Sequence, residues 1–465
     1  MQSIDALFAI VLARIREFYV KVIFKNAERA KIVQKLSNSE ILEQARTSAT
    51  LQDWARLCQD LQQIFTTDDR AKTALFSEPN TSVILLDLAM QVIEFGSFQD
   101  RWDVAKLFPN IGIEAIAPLI NLLNDEDADP EAKWFAVRIL GSFNHPRVIE
   151  ALIELLKTSQ SEDLNAMAVS ILASMGKTAV SMIEALLAQD STRLFAVQAL
   201  GQIRRSETVP LLMKVIHDPD VQIRAIAIEA LSSFHSDEIT AVLIESLQDV
   251  AVPVRLAAVT GLGFRPDYPN LVAHLQPLLF DLNLEVCRQS AIALGRLGTS
   301  QAATALYEVL QSQHTPENLS IELVRALGWI ALPEALSYLE TALLHLSLSE
   351  TVQLEIVQTL GRIDVFDLKS QATQILLHRL PKLESVGIRQ AIALSLSHLG
   401  DPDSMNALVA LLADTEDSVR FHAISALKTL NAELSHQHLE RLAKIEPEES
   451  ELGRGIAIAL REWHF

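Results

Sequence analysis

Histidine, cysteine and clustered carboxylates supply most hydrolytic, redox and metal chemistry, and in this chain they are scattered. Twelve histidines are spread over 465 residues, and no pair has the His-Glu-x-x-His spacing that sets two imidazoles on one helical face around zinc. His436 and His438 lie two apart on a predicted helix. They therefore point to different faces, as surface residues do, and not toward one metal. The two cysteines, Cys58 and Cys287, match no metal or redox spacing, so the chain reads as reduced and intracellular. Neither a Gly-x-x-x-x-Gly-Lys phosphate loop nor a serine nucleophile elbow occurs. Paired carboxylates such as Asp125 and Asp127 fall in turns, where solvation is their ordinary role. No catalytic or metal-binding residue is assigned, and no cofactor is expected from these residues.

Composition narrows the class further. Hydrophobic residues make up 49% of the chain, against 15 glycines and 16 prolines, too few turn residues for an all-β protein and consistent with many helices joined by short loops. The formal charge is −20, which repels a phosphate backbone from most of the surface and argues against nucleic acid as a partner. The longest apolar run near the start, Ala6 to Ala13, follows Asp5 and is too short to span a bilayer. A cytoplasmic protein is expected.

From about residue 100 one pattern recurs. An apolar residue is followed by a basic one, two variable positions, two small residues, another variable one, and then Ala-Leu-Gly or a near variant. Taking the leucine as a marker gives Leu107, Leu140, Leu172, Leu200, Leu231, Leu262, Leu294, Leu327, Leu360, Leu396, Leu427 and Leu460. From Leu140 to Leu460 there are ten intervals with a mean of 32 residues, the period of a solenoid. A second apolar segment such as Val209 to Ile216, ending in the turn His217-Asp218-Pro219-Asp220, precedes each marker helix. Each unit is thus a helical hairpin. Ala258 and Leu262, four apart, stack on one face. Gly201, Gly263, Gly295, Gly328 and Gly361 follow the leucine directly, where a left-handed helix cap is expected.

An acidic residue also stands six positions before the basic one: Asp127 and Lys133, Asp218 and Arg224, Asp249 and Arg255, Asp414 and Arg420. The expectation is a charged ladder in which the turn aspartate of one unit meets the basic residue of its neighbour. Cys287 occupies the basic position of its unit, so the ladder should be interrupted there.

The segment Leu399-Gly400-Asp401-Pro402-Asp403-Ser404-Met405-Asn406-Ala407-Leu408-Val409, followed by Leu411-Leu412 and Asp414, resembles the short class of HEAT repeats named after the phycobilisome lyases. The resemblance extends over about residues 97–465 and implies an all-α fold, a right-handed α-solenoid of about twelve HEAT-like hairpins in one continuous superhelix. It also implies that the marker helices line the concave side. Relatives of this class include phycobilin lyases and proteins without lyase activity. The resemblance therefore implies a cyanobacterial setting and a scaffold or assembly factor for phycobiliproteins of the antenna. The alternative it implies is a lyase-like protein that holds a linear tetrapyrrole (bilin) for attachment to a phycobiliprotein cysteine. No catalytic motif of that family can be matched here residue by residue.

With the basic position counted as second, positions three, four and seven of each marker helix point away from the local core. These columns contain Trp102 after Arg101, then Trp134, Phe135 and Arg138, then Met167 and Phe195, and later Arg288, Arg325 and His422. Two readings stand: the rings pack between neighbouring helices as core, or with the arginines they line a partner groove, arginine beside aromatics being what binding hot spots favour. Under the second, Trp102, Trp134, Phe135 and Arg138 form one patch.

Residues 1–96 lack the repeat and read as an atypical helical capping region, with a final repeat helix near 452–463 as the other cap. Residues 1–35 carry a net charge of +4. Arg14, Lys21 and Lys25 share one face of a predicted helix whose other face carries Ile4, Phe8, Val11, Ile15, Phe18 and Val22. That layout suits either a cap docked on the first repeat or a helix lying on an anionic membrane surface or an acidic partner.

Overall fold

The computed structural model describes residues 38–66, 80–344, 348–382 and 385–463; Arg14, Lys21 and Lys25 lie outside them. The chain divides into two compact units, residues 1–199 and 200–465, each described by itself. Among the described residues there are short helices and no β-strand. Successive helices pack as hairpins on their neighbours, and the fold is an α-solenoid. No described helix is long and apolar enough to cross a membrane.

In the first unit, the helices Asn38–Thr50, Trp54–Thr66 and Thr81–Phe95 pack on one another, and the latter two on Phe98–Ala105. The repeat then runs through the helix pair Ile116–Asn124 and Pro130–Leu140 and its successors. A pair in the second unit shows the local logic. Ser236 caps the helix Asp237–Ser246 by accepting the Ile239 amide, and Pro253 sits in the first turn of Val252–Leu262, where its missing N–H costs nothing. Val254, Ala258 and Leu262 then fall on one face and are essentially inaccessible. All ten marker leucines from Leu140 to Leu427 are fully buried. Each marker helix is named below by its leucine.

The glycines after the marker leucines have a different role from the one expected. None of the five has a positive φ; the glycines that do are Gly112, Gly176, Gly298 and Gly400. Gly263 ends its helix in right-handed geometry, and Gly295 and Gly361 lie inside theirs. What they provide is room. A Cβ on Gly263 would sit 3.1 Å from Cα and Cβ of Ala293, and one on Gly295 equally close to Ala326. On Gly328 it would lie 2.2 Å from the Thr359 methyl, and on Gly361 2.8 Å from Cα of Ser395. In each case the obstacle is the residue just before the next marker leucine. Consecutive marker helices therefore touch backbone to backbone through a glycine of one and a small residue of the next.

Charged hydrogen bonds run beside these contacts. Arg224 donates from Nε and Nη2 to the two carboxylate oxygens of Asp249, both at 2.9 Å. Arg255 does the same to Asp281 at 2.8 Å, and Arg389 to Asp414 at 2.7 and 3.1 Å. The same column of side chains also turns back on its own unit. Arg224 Nη1 donates to the Asp218 carbonyl at 2.7 Å and Arg255 Nη1 to the Asp249 carbonyl at 2.8 Å, with Arg420 likewise on Asp414. The six-residue spacing thus records a bond to the aspartate's carbonyl, while its carboxylate serves the preceding unit's arginine. Cys287 keeps the first interaction, donating from Sγ to the Asp281 carbonyl at 3.2 Å, and has no side chain for the second. In the first unit, Lys133 makes no ion pair with Asp127 among the described residues. Lysine is a point charge without the planar fork that reaches two acceptors.

These bonds set the charge state of the aspartates. The hydrogen bond from Arg224 holds the Asp249 carboxyl below its ordinary range. Burial pushes Asp281 and Asp414 upward, but the bonds from Arg255 and Arg389, with those from local amides, outweigh it, and both are held below theirs.

Two stability predictions follow from this packing. Gly361→Ala should cost about 1–3 kcal/mol, as overpacking against fixed backbone does. Gly201→Ala, whose Cβ would meet Ala230 at an ordinary 3.4 Å, should be neutral or stabilising; urea denaturation of both variants distinguishes close approach from capping. Asp249→Asn should cost about 1.5–3 kcal/mol at neutral pH. Because the folded-state pKa of Asp249 is depressed, its contribution is present above the unfolded value of about 3.9 and disappears as pH falls through the folded one. The gap between wild type and Asp249→Asn should therefore narrow as pH falls below about 3.9 and close once the carboxyl is protonated in the folded state as well. A gap that persists there means the carboxylate charge is not its source.

Candidate partner-binding surfaces

In the first unit, the helix Phe98–Ala105 opens with a reciprocal capping box between Ser97 and Asp100, and Pro130–Leu140 is capped by Asp129. These caps fix two adjacent helix starts. Phe98 stacks on Trp102 with centroids 6.1 Å apart and meets the edge of Phe135 at 5.3 Å, while Trp134 meets Phe135 at 5.0 Å. The Arg138 guanidinium lies 4.3 Å from the Trp102 ring centre and 5.6 Å from that of Trp134. Phe98 is 52% exposed, the tryptophans are half-buried and Arg138 is exposed. A cleft of about 570 Å³ beside them is lined by Phe98, Glu131, Lys133, Trp134, Ser161 and Asp163, among others.

Two residues expected on this surface belong beneath it. Phe135 has no accessible area; position four of this helix turns inward between Phe98 and Trp134, so the ring is core. Arg101 is 4% exposed, donates to the Glu94 carbonyl at 2.8 Å and contacts both Asp129 and Glu131 at 2.6 Å. It joins two helical hairpins of the first unit from within and cannot meet a partner. Phe195 is half-buried and shares no ring contact with the patch among the described residues. Phe98 was missed because it precedes the repeat pattern in its helix. Only its placement one turn before Trp102 hinted at it.

In the second unit, Arg288 and Arg325 belong to a chain of charges. Arg325 is bidentate to Glu355 at 3.0 and 3.1 Å, Glu322 lies 3.8 Å from both Arg288 and Arg325, and Arg362 reaches Glu355 at 3.4 Å. Glu322 and Glu355 are buried. A further column went unread: the residues two places after the marker leucine are Phe264, Arg296, Trp329, Arg362 and His398 in five consecutive repeats of the second unit. All five are exposed. The Arg296 guanidinium lies 4.5 Å from the Phe264 ring centre. This position is one helical turn beyond position seven, and a pattern that ends at Leu-Gly hides it.

Neither thiol offers chemistry. Cys58 and Cys287 are buried and unpaired, and burial pushes Cys58 up to about 12 and raises Cys287. Such thiols are inert. Among the described residues no three histidine, cysteine or acidic side chains are grouped to hold a metal.

A comparison with curated proteins finds no match. Among solved structures, the chain is similar to Kap121p bound to Pho4p, with 15% identity over 87% of this chain and 52% of that one and a TM-score of 0.52. It is also similar to Kap95p from a structure in which Kap95p binding induces the switch loops of RanGDP to adopt the GTP-bound conformation, with 13% identity over 92% of this chain and 66% of that one and a TM-score of 0.50. At such identities the likeness shows the fold. The profile of the family described as HEAT repeats matches residues 116–194, 182–262, 240–320, 347–428 and 376–461. These segments together cover more than half of the chain, and the chain belongs to the HEAT-repeat family.

Proposed function

We propose that this protein is a scaffold or assembly factor that holds a protein partner on the face of its marker helices. The observation that carries the reading is the cluster of Phe98, Trp102 and Trp134 with Arg138 stacked across two of the rings. Rigid aromatics beside a guanidinium bury much apolar area at small entropic cost, and such groups dominate protein interfaces. Kap121p, whose fold this chain resembles, is bound to Pho4p in its structure, which supports the reading.

The signature at residues 399–414 supports a finer reading, in which the client is a phycobiliprotein and the setting cyanobacterial cytoplasm. One observation favours the lyase-like alternative. The cleft beside Trp134, at about 570 Å³, has the size of a small-molecule site, with Lys133 available to a propionate. Affinity purification from the native cell, followed by absorption spectroscopy of the eluate, separates the two. Co-eluting protein without pigment supports the scaffold, and bound bilin supports the alternative.

Trp134→Ala and Arg138→Ala should each weaken partner binding by more than about 1 kcal/mol with the fold intact. Loss of about 3 kcal/mol of stability in Trp134→Ala, with binding per folded molecule unchanged, would identify the ring as packing. Phe135→Ala serves as the reference for that behaviour.

The basic residues Arg14, Lys21 and Lys25 support a second contact, with an anionic membrane surface. Liposome sedimentation at low salt should show binding to anionic vesicles that charge reversal at these positions reduces and added salt weakens. Wild-type protein left in the supernatant at low salt rejects the membrane contact.

A further inference from the structure

We infer that the column of residues two places after the marker leucines in the second unit is a docking strip for an extended acidic segment of a partner protein. In that segment, aromatic or proline residues alternate with carboxylates at three-residue spacing.

The strip is Phe264, Arg296, Trp329, Arg362 and His398. Phe264 is 57% and Trp329 54% exposed. Single exposed rings are ordinary, but these two stand in the same register with an arginine between them and another beyond. Each of Phe264, Arg296, Trp329 and Arg362 directly follows a packing glycine, so the strip sits where consecutive helices approach most closely. Its geometry is inherited from the core.

Charge selects the partner. Arg288, Arg296, Arg325 and Arg362 share this face with Glu322 and Glu355, which are buried and already engaged with Arg288, Arg325 and Arg362, and with the exposed Glu285, which pairs with Arg288 at 2.9 Å; the strip itself carries two arginines and no carboxylate. Arg296 makes no ion pair among the described residues and rests on the Phe264 ring. The strip is thus a positive stripe on a chain of net charge −20. A polyphosphate chain would be repelled by the rest of the surface, whereas a short acidic peptide meets the stripe alone.

Spacing selects the conformation. Neighbouring helix axes lie about 8–10 Å apart, and a polyproline-type strand advances about 9 Å in each three-residue turn. One residue in three therefore faces each successive helix. Carboxylates facing Arg296 and Arg362 fall about six residues apart, with an apolar residue midway over Trp329. At the far end, Arg362, His398, His422 and Gln390 line a depression of about 550 Å³ that takes a terminal acidic side chain.

The test uses the full chain and a fluorescein-labelled peptide of about thirteen residues, with aromatic and glutamate residues alternating every third position. Fluorescence anisotropy at low salt should show binding that weakens as salt is added. Arg296→Glu and Trp329→Ala should each weaken it about tenfold or more, with unchanged thermal melting because both side chains are exposed. Trp134→Ala, in the other unit, should leave it intact, so failure here is separable from failure of the scaffold reading. The inference is overturned if wild type does not bind the peptide or if both strip variants bind normally. It is also overturned if a lysine-for-glutamate peptide or a single-stranded oligonucleotide binds better, or if the strip proves to be covered by self-association.

Discussion

The contact on which the second unit depends is the approach of one marker helix to the next, glycine against a small side chain. At Gly263, Gly295, Gly328 and Gly361 there is no room for a Cβ without moving the neighbouring helix or its threonine. This closeness requires alanine, threonine or serine just before the following leucine, and Ala293, Ala326, Thr359 and Ser395 stand there. It also brings the outward positions of successive helices into register. A surface built from residues some thirty apart in sequence is therefore as ordered as one built on a single helix.

The arginine ladder answers a different need. Each hairpin ends its first helix in a turn with carbonyls that lack helical partners, and burial beside the next unit removes water from them. Arg224 and Arg255 satisfy such a carbonyl with one nitrogen and the neighbouring carboxylate with two others. One planar group with fixed donors closes the turn and orients the next unit. Among the described residues, Asn165 and Gln353 make only the local bond, to the carbonyls of Ser159 and Leu348. The cross-unit links seen in this column, Arg224 to Asp249, Arg255 to Asp281 and Arg389 to Asp414, each pair an arginine with the aspartate that follows.

Much of the fold was legible in the sequence because repetition turns packing into period. The marker leucines stand at intervals near 32 residues, and all ten from Leu140 to Leu427 are fully buried. The glycines were misread because a glycine at a helix end has two uses, and only neighbouring coordinates separate a positive φ from a shortage of space. The candidate surface was legible in part. Trp102, Trp134 and Arg138 share one stack because their register predicts adjacency. Phe135 and Arg101 were placed on the surface by the same register, yet one turns inward under Trp134 and the other is drawn into Asp129 and Glu131. A helical wheel assigns angle; it does not record how deeply a neighbouring helix covers that angle. Phe264, Arg296 and Trp329 escaped notice because the repeat motif stops at the residue that packs, one place before the residue that shows.

The two exposed features therefore stem from one rule of construction. Residues that must touch the next helix are held to small size, and this constraint keeps the core columns monotonous. The outward columns are under no such demand, so their composition reports something other than folding. In the first unit they hold aromatic rings with an arginine stacked over them, and in the second, aromatics alternating with arginines above buried glutamates. Glu322 and Glu355 would destabilise the fold if they were unpaired, and the arginines that neutralise them retain exposed guanidinium edges. The same ion pairs that make the buried carboxylates tolerable thus hold arginines in fixed positions at the surface. Pre-positioned cations and rings lose little freedom when a partner arrives, which is the property that the proposed binding role asks of such a surface.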